Sequence, residues 1–210
     1  MTIHLSQDGK TMIDVGRVLE LHETTVELWH GEEIANPHNG IWQLICQQHE
    51  FNFRLWHEED TARCPNASDS EIANVKRAID KLNQNRNDWI EKVDVWIEDE
   101  LANQGVAVAA DARLNTETPG SAIDRLSILA LRLYHLEEQL DRADADMEHL
   151  NSVGKKICIA QMQRENLATS LSELLADIGE GRKRHQTYRQ MKMYNDPSLN
   201  PVLIAAGKVG

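Results

Sequence analysis

Cysteine is scarce in this chain: Cys46, Cys64 and Cys158 are the only three in 210 residues, and no two form a CxxC pair. An odd, unpaired set argues against a disulfide scaffold and fits thiols kept reduced in a cytosol, so a cytoplasmic location is expected. With 5 prolines and 11 glycines the chain is neither collagen-like nor low-complexity, and aromatics make up only 5% of it. The longest apolar runs are 128–131, 106–110 and 202–206, far short of the roughly 18 residues of a membrane-spanning helix, so no membrane insertion is expected. The opening MTIHLSQDGK has no basic segment followed by an apolar one, which predicts no secretion signal. A phosphate-cradling glycine loop, a serine nucleophile elbow and the HExxH of zinc proteases are missing too.

What the chain has is acid. Its formal net charge is −12, but the sign is unevenly spread. Residues 1–113 carry 10 cationic and 21 acidic side chains, 114–181 carry 6 and 12, and 182–210 reverse the balance with 6 and 1. An acidic body repels phosphate backbones, so no nucleic-acid partner is expected. The basic tail has a plain reading, in which its cations complement a helix C-terminus and pair with the acidic body. RKRHQTYRQMKMY also suits anion recognition, with Arg189 and Lys192 beside Tyr194.

Periodicity of about 3.6 dominates, and the expected fold is all-α: an antiparallel bundle of about five helices, several of them long, with an irregular C-terminal tail. Helices are predicted over 14–32, 40–62, 69–103 and 119–142, with a fifth from about 152 to 188. Ser68 or Asp69 caps the third, and Thr118 with Pro119 starts the fourth. The resulting division is an N-terminal extension (1–13), N-terminal helices (14–103), a connecting loop (104–118), C-terminal helices (119–190) and a basic tail (191–210).

Spacing tests the metal readings. A di-iron bundle needs Glu-x-x-His on two helices, and only Glu27–His30 supplies it, with Asp146–His149 an acidic imitation. Cys46, His49, His57 and Cys64 resemble zinc ligands, yet His49 and His57 would stand about 12 Å apart along one helix, too far for one ion. No metal ligands and no cofactor are assigned. More telling are polar residues set into apolar stripes, where each costs stability unless paired. Gln48, Asn52 and Glu59 interrupt the second helix, Asn83 and Arg86 the third, and Asp124, Arg125, Ser127 and His135 the fourth. Buried pairs that fix helix register are the plain explanation. The functional one is a cavity between helices that orients a polar ligand. Gly120 opens a further option, an anion at the free N–H groups that start the fourth helix.

The segments ETPGSAIDRLSILALRLYH (117–135), YRQMKMYNDPSLNP (188–201), QQHEFNFRLWHEEDTAR (47–63) and KRAIDKLNQNRNDWIEKVD (76–94) resemble a bacterial family known as domain of unknown function 4254. The resemblance implies a cytoplasmic protein without assigned catalytic residues, with a loose link to cell-surface glycan assembly. Three readings follow. The first is a non-catalytic accessory module that binds a protein partner or forms a homodimer. The second is an enzyme or binding protein for a phosphorylated sugar or nucleotide-sugar, with Asn52, His57, Asn83, Arg86, Asp124, Arg125 and His135 lining the site. Arg189, Lys192 and Tyr194 would then hold phosphate, and His57, Asp124 or His135 would serve as general acid or base. The third is a metal-dependent oxidase using Glu23, Glu27 and His30.

Overall fold

A computed structural model of the chain describes residues 12–191 and 196–207. Five long helices form one all-α bundle: α1 (Val15–Gly31), α2 (Ile41–Ala62), α3 (Asp69–Asn103), α4 (Pro119–Glu138) and α5 (Met147–Gly179). A two-residue parallel pairing of β1 (Arg113–Leu114) with β2 (Lys183–Arg184) and a short α6 (Pro201–Ala205) complete it. No helix among the described residues is long and apolar enough to cross a membrane.

Local chemistry sets most helix ends. Asp14 caps α1, Ser68 and Glu71 form a reciprocal capping box on α3, and Thr118 caps α4 with Pro119 just inside it. Helix α5 differs from expectation at both ends. It starts earlier because the Asp146 side chain accepts from the His149 N–H, and it stops at Gly179 because Gly181 turns the chain at φ 72°. A Cβ at Gly181 would stand 2.2 Å from the Ala107 carbonyl oxygen, so the residue also permits a close crossing with the 104–118 loop.

The core lies between α1, α2 and α4, with Val18, Val26, Ile45, Ile123, Leu126 and Leu131 fully enclosed. Central α4 touches the other four long helices. Contacts between named residues fix the directions. Phe51 meets Trp89 while Leu55 packs with Val75 and Ile79, so α2 and α3 are antiparallel. Arg86 meets Asp124 and Asp94 meets Gly120, so α3 and α4 are antiparallel as well. By contrast, α1 runs in the same sense as α2 and α4. His22 lies against His49 and His30 against His57, an advance of eight residues on each helix. The extended segment 32–39 makes this possible, because it returns along α1, where Pro37 and His38 share a groove with Leu21 and Thr25.

Gly120 is a tight crossing of α4 on α3. Its N–H donates to Asp94 Oδ1 at 2.7 Å, and an added Cβ would sit 2.7 Å from the Ile90 carbonyl oxygen. Gly120→Ala is therefore expected to destabilise the protein by about 1–3 kcal/mol through overpacking, measured by urea unfolding. A Gly154→Ala control, with open space at that position, is expected to leave stability unchanged or slightly raised.

Candidate functional site

Residues spaced three or four apart on one helix share a face, and α2 uses this to present Gln48 and Asn52 to α4, where Asp124 and Ser127 form the matching pair. Asp124 Oδ1 accepts from Gln48 Nε2 at 2.5 Å, Asn52 Nδ2 at 2.9 Å and Arg86 Nε at 2.7 Å. Its other oxygen pairs with Arg86 Nη2, making a two-pronged guanidinium–carboxylate contact from α3 to α4. The Asn52 amide donates a second bond to Ser127 Oγ at 2.8 Å, and His49 Nδ1 lies 2.6 Å from the same hydroxyl. Asp124 is only 5% exposed whereas Arg86 retains 25%, so the carboxylate is the buried anchor and the cation faces outward. The Asp124 bonds hold the guanidinium protonated beyond its ordinary range.

Arg86 opens onto a cavity of about 360 Å³ between α2, α3 and α4. Asn52, Asn83, Trp56, Glu59, Asp60 and Arg63 supply its polar and aromatic lining. The Nε and Nη2 edge of Arg86 is taken by Asp124, and the Nη1 end is not used by that pair. The cavity thus offers the fixed Arg86, an Arg63–Glu59 pair, the Asp60 carboxylate, two carboxamides and an indole face, a set able to hold a charged group and several hydroxyls.

Asn52, Asn83, Arg86 and Asp124, four of the residues expected from sequence, come together here. The others do not. Arg125 is turned about 100° round the helix from Asp124; it pairs with Glu117 at 2.7 Å and lines a separate groove against α5. His57 and His135 meet each other and His30 instead, with ring centroids 5.0–5.8 Å apart. The anion expected at the start of α4 is a side chain of the protein itself, Asp94, which burial pushes above the usual carboxylate range despite its bonds to Thr118 and Gly120. The tail crosses α3: His185 Nε2–H donates to the Asp94 carbonyl, and the N–H groups of Thr187 and Gln190 donate to Glu98 and Glu91. Arg189 is exposed there and does not line the cavity, while Lys192 and Tyr194 lie outside the described residues. Arg182 and Lys183 pair with Asp177, as the plain reading of the basic tail expects.

Two residues absent from the sequence-based site lie beneath it. His22 and His49 are fully buried with ring centroids 4.5 Å apart, and burial lowers both, His22 to about 3. They stay neutral at physiological pH. Cys46 is buried nearby, and burial pushes its thiol up to about 12, which disqualifies it as a nucleophile.

A family model described as "Protein of unknown function (DUF4254)" matches residues 42–187. The chain belongs to this family. The matched span contains the whole Asp124 network and its cavity, but not α1. No curated protein and no solved structure matches the chain. Membership in DUF4254 carries no activity with it, so function rests on the geometry.

Proposed function

We propose that the protein binds a small phosphorylated sugar in the cavity between α2, α3 and α4, with Arg86 as the anion-holding group. The supporting observation is the buried Asp124, which fixes Arg86, a cavity-lining residue, by two contacts and leaves its Nη1 outside that pair. A pre-oriented guanidinium loses little freedom on meeting phosphate. The Asn83 carboxamide, the Asn52 Oδ1 and the Asp60 carboxylate give polar partners for hydroxyls, and Trp56 gives an apolar face. At about 360 Å³ the cavity is at the small end of ligand sites, which favours a monosaccharide phosphate over a nucleotide-sugar. The link to glycan assembly implied by the family resemblance points to the same ligand class.

The accessory-module reading calls for a continuous exposed apolar stripe. Among the described residues, the exposed large apolar side chains are distributed over α1, α3, α5, α6 and the connections, with Ile159 and Met162 the nearest pair on α5.

A thermal-shift panel of sugars, sugar phosphates and nucleotide-sugars tests the proposal. A sugar phosphate at a hundred times its dissociation constant is expected to stabilise by about 2.7 kcal/mol. Asn83→Ala, which trims the cavity wall without touching the Asp124 network, is expected to lessen that shift while leaving the unliganded melting point near wild type. No shift with any phosphorylated sugar would defeat the proposal and return the search to protein partners.

A further inference from the structure

The +8 register that places His22 beside His49 also builds a second polar layer about 12 Å along the bundle. There α1, α2 and α4 contribute His30, His57 and His135. One ring nitrogen from each lies within 4.8 Å of the others. We propose that His30, His57 and His135 bind one divalent transition-metal ion, at a site distinct from the ligand cavity but joined to it through Trp56.

The hydrogen bonds define the donor atoms. His30 Nδ1–H donates to the Val26 carbonyl at 2.7 Å, and His135 Nδ1–H donates to the Glu138 carboxylate at 2.7 Å. A carbonyl or a carboxylate only accepts, so each neutral ring carries its lone pair on Nε2. Both Nε2 atoms are buried and have no hydrogen-bond partner. An imidazole whose outer nitrogen is fixed by a carboxylate or carbonyl, with the inner one turned to a shared centre, is the usual arrangement of a metal-ligating histidine. The ring planes are held too: Tyr134 stacks on His30 at 4.1 Å and Trp56 on His135 at 4.9 Å. His57 supplies the third imidazole, its ring centroid 5.2 Å from that of His30 and 5.8 Å from that of His135.

Zinc–nitrogen bonds of about 2.0–2.1 Å place tetrahedral donors roughly 3.4 Å apart. The three nitrogens, within 4.8 Å of one another, close by at most about 1.4 Å to reach that distance. Three neutral imidazoles select Zn²⁺, Co²⁺ or Ni²⁺ over Mg²⁺ and Ca²⁺, which prefer oxygen. A three-histidine set leaves a fourth position for water or substrate, and His57 lines a surface cavity of about 540 Å³ through which one could enter. The carboxylates Glu23 and Glu27 are not part of it: Glu23 pairs with Arg164, and Glu27 lies in a different groove. The di-iron pattern therefore does not form here, and Asp146 is used as the cap of α5.

Calorimetric titration of the metal-stripped full chain with ZnCl₂, together with visible absorption after Co²⁺ loading, tests the site. One ion per chain is expected, with ligand-field bands of four-coordinate Co²⁺ and no thiolate charge-transfer band. His57→Ala is expected to weaken binding by more than 100-fold, and Glu138→Gln by 10–100-fold, with helicity checked by circular dichroism. Because His57 is partly exposed, its variant serves if His135→Gln fails to fold. A His38→Ala control is expected to bind as wild type. No binding, a thiolate band, or undiminished affinity in folded His57→Ala would overturn the proposal.

Discussion

Replacing Asp124 with alanine is expected to cost about 3 kcal/mol or more, a fall in Tm of roughly 10 °C for a chain of this size. The loss comes less from the ion pair itself than from what it leaves behind. Gln48 and Asn52 are buried and both direct an amide at Asp124 Oδ1, so without it two donors stay desolvated and unpaired. Arg86, 25% exposed, can turn partly to water, which places the effect toward the low end of values for broken buried pairs. Arg86→Met with Asp124→Leu is expected to recover only the share due to the unpaired Arg86 and the lost side-chain volume, because the Gln48 and Asn52 amides still lack their acceptor. Denaturant unfolding of the two variants separates these cases. If Asp124→Ala melts within a degree or two of wild type, the network is not the bundle's polar anchor. The same double variant is expected to lose the sugar-phosphate response even where it regains stability, which separates holding the fold from holding a ligand.

Mild acid is expected to destabilise this protein through its buried histidines. His22 is lowered by burial to about 3, whereas in the unfolded chain it titrates near 6.5. Between these values the unfolded state holds a proton that the folded state does not. Stability therefore rises with pH across this window and falls as pH drops from about 6.5 toward 3. At pH 5 the loss relative to pH 8 is about 2 kcal/mol from His22 alone. His49, lowered by the same burial and by His22, adds in the same direction. Urea unfolding of wild type and His22→Leu at both pH values isolates the contribution, since carboxylate titration is common to both proteins. Equal pH dependence in the two would show that His22 is not buried neutral.

How far the sequence could reach depends on whether a feature is local. Helix ends governed by one cap are legible: Ser68, one of the two caps the spacing allows for α3, and Thr118 with Pro119 start their helices as expected. The start of α5 was missed because its cap, Asp146, sits in a polar stretch with no apolar periodicity to mark it. In the cavity, Asn52, Asn83 and Arg86 were recognisable as polar breaks in apolar stripes, and so was Asp124 behind them. Periodicity does not separate Arg125 from Asp124, because it does not show which face of α4 is inward. The grouping of His57 and His135 with His30 lay beyond reach for a different reason. It depends on α1 running alongside α2 in the same sense, which the extended 32–39 segment allows and no periodicity announces. His49 and His57 do lie on one unbroken helix, as the argument against a zinc ion shared between them requires.

The account turns on Arg86 as a fixed cation at the mouth of the cavity. Observing its guanidinium by ¹⁵N NMR while adding a monosaccharide phosphate, then the parent sugar, tests this most directly. The Arg86 resonances are expected to shift and saturate with the phosphate and to respond far less to the sugar, while those of Arg125 and Arg189 stay in place. Saturating shifts at Arg125 or Arg189 with none at Arg86 would contradict the account, and so would a full set of unmoved resonances.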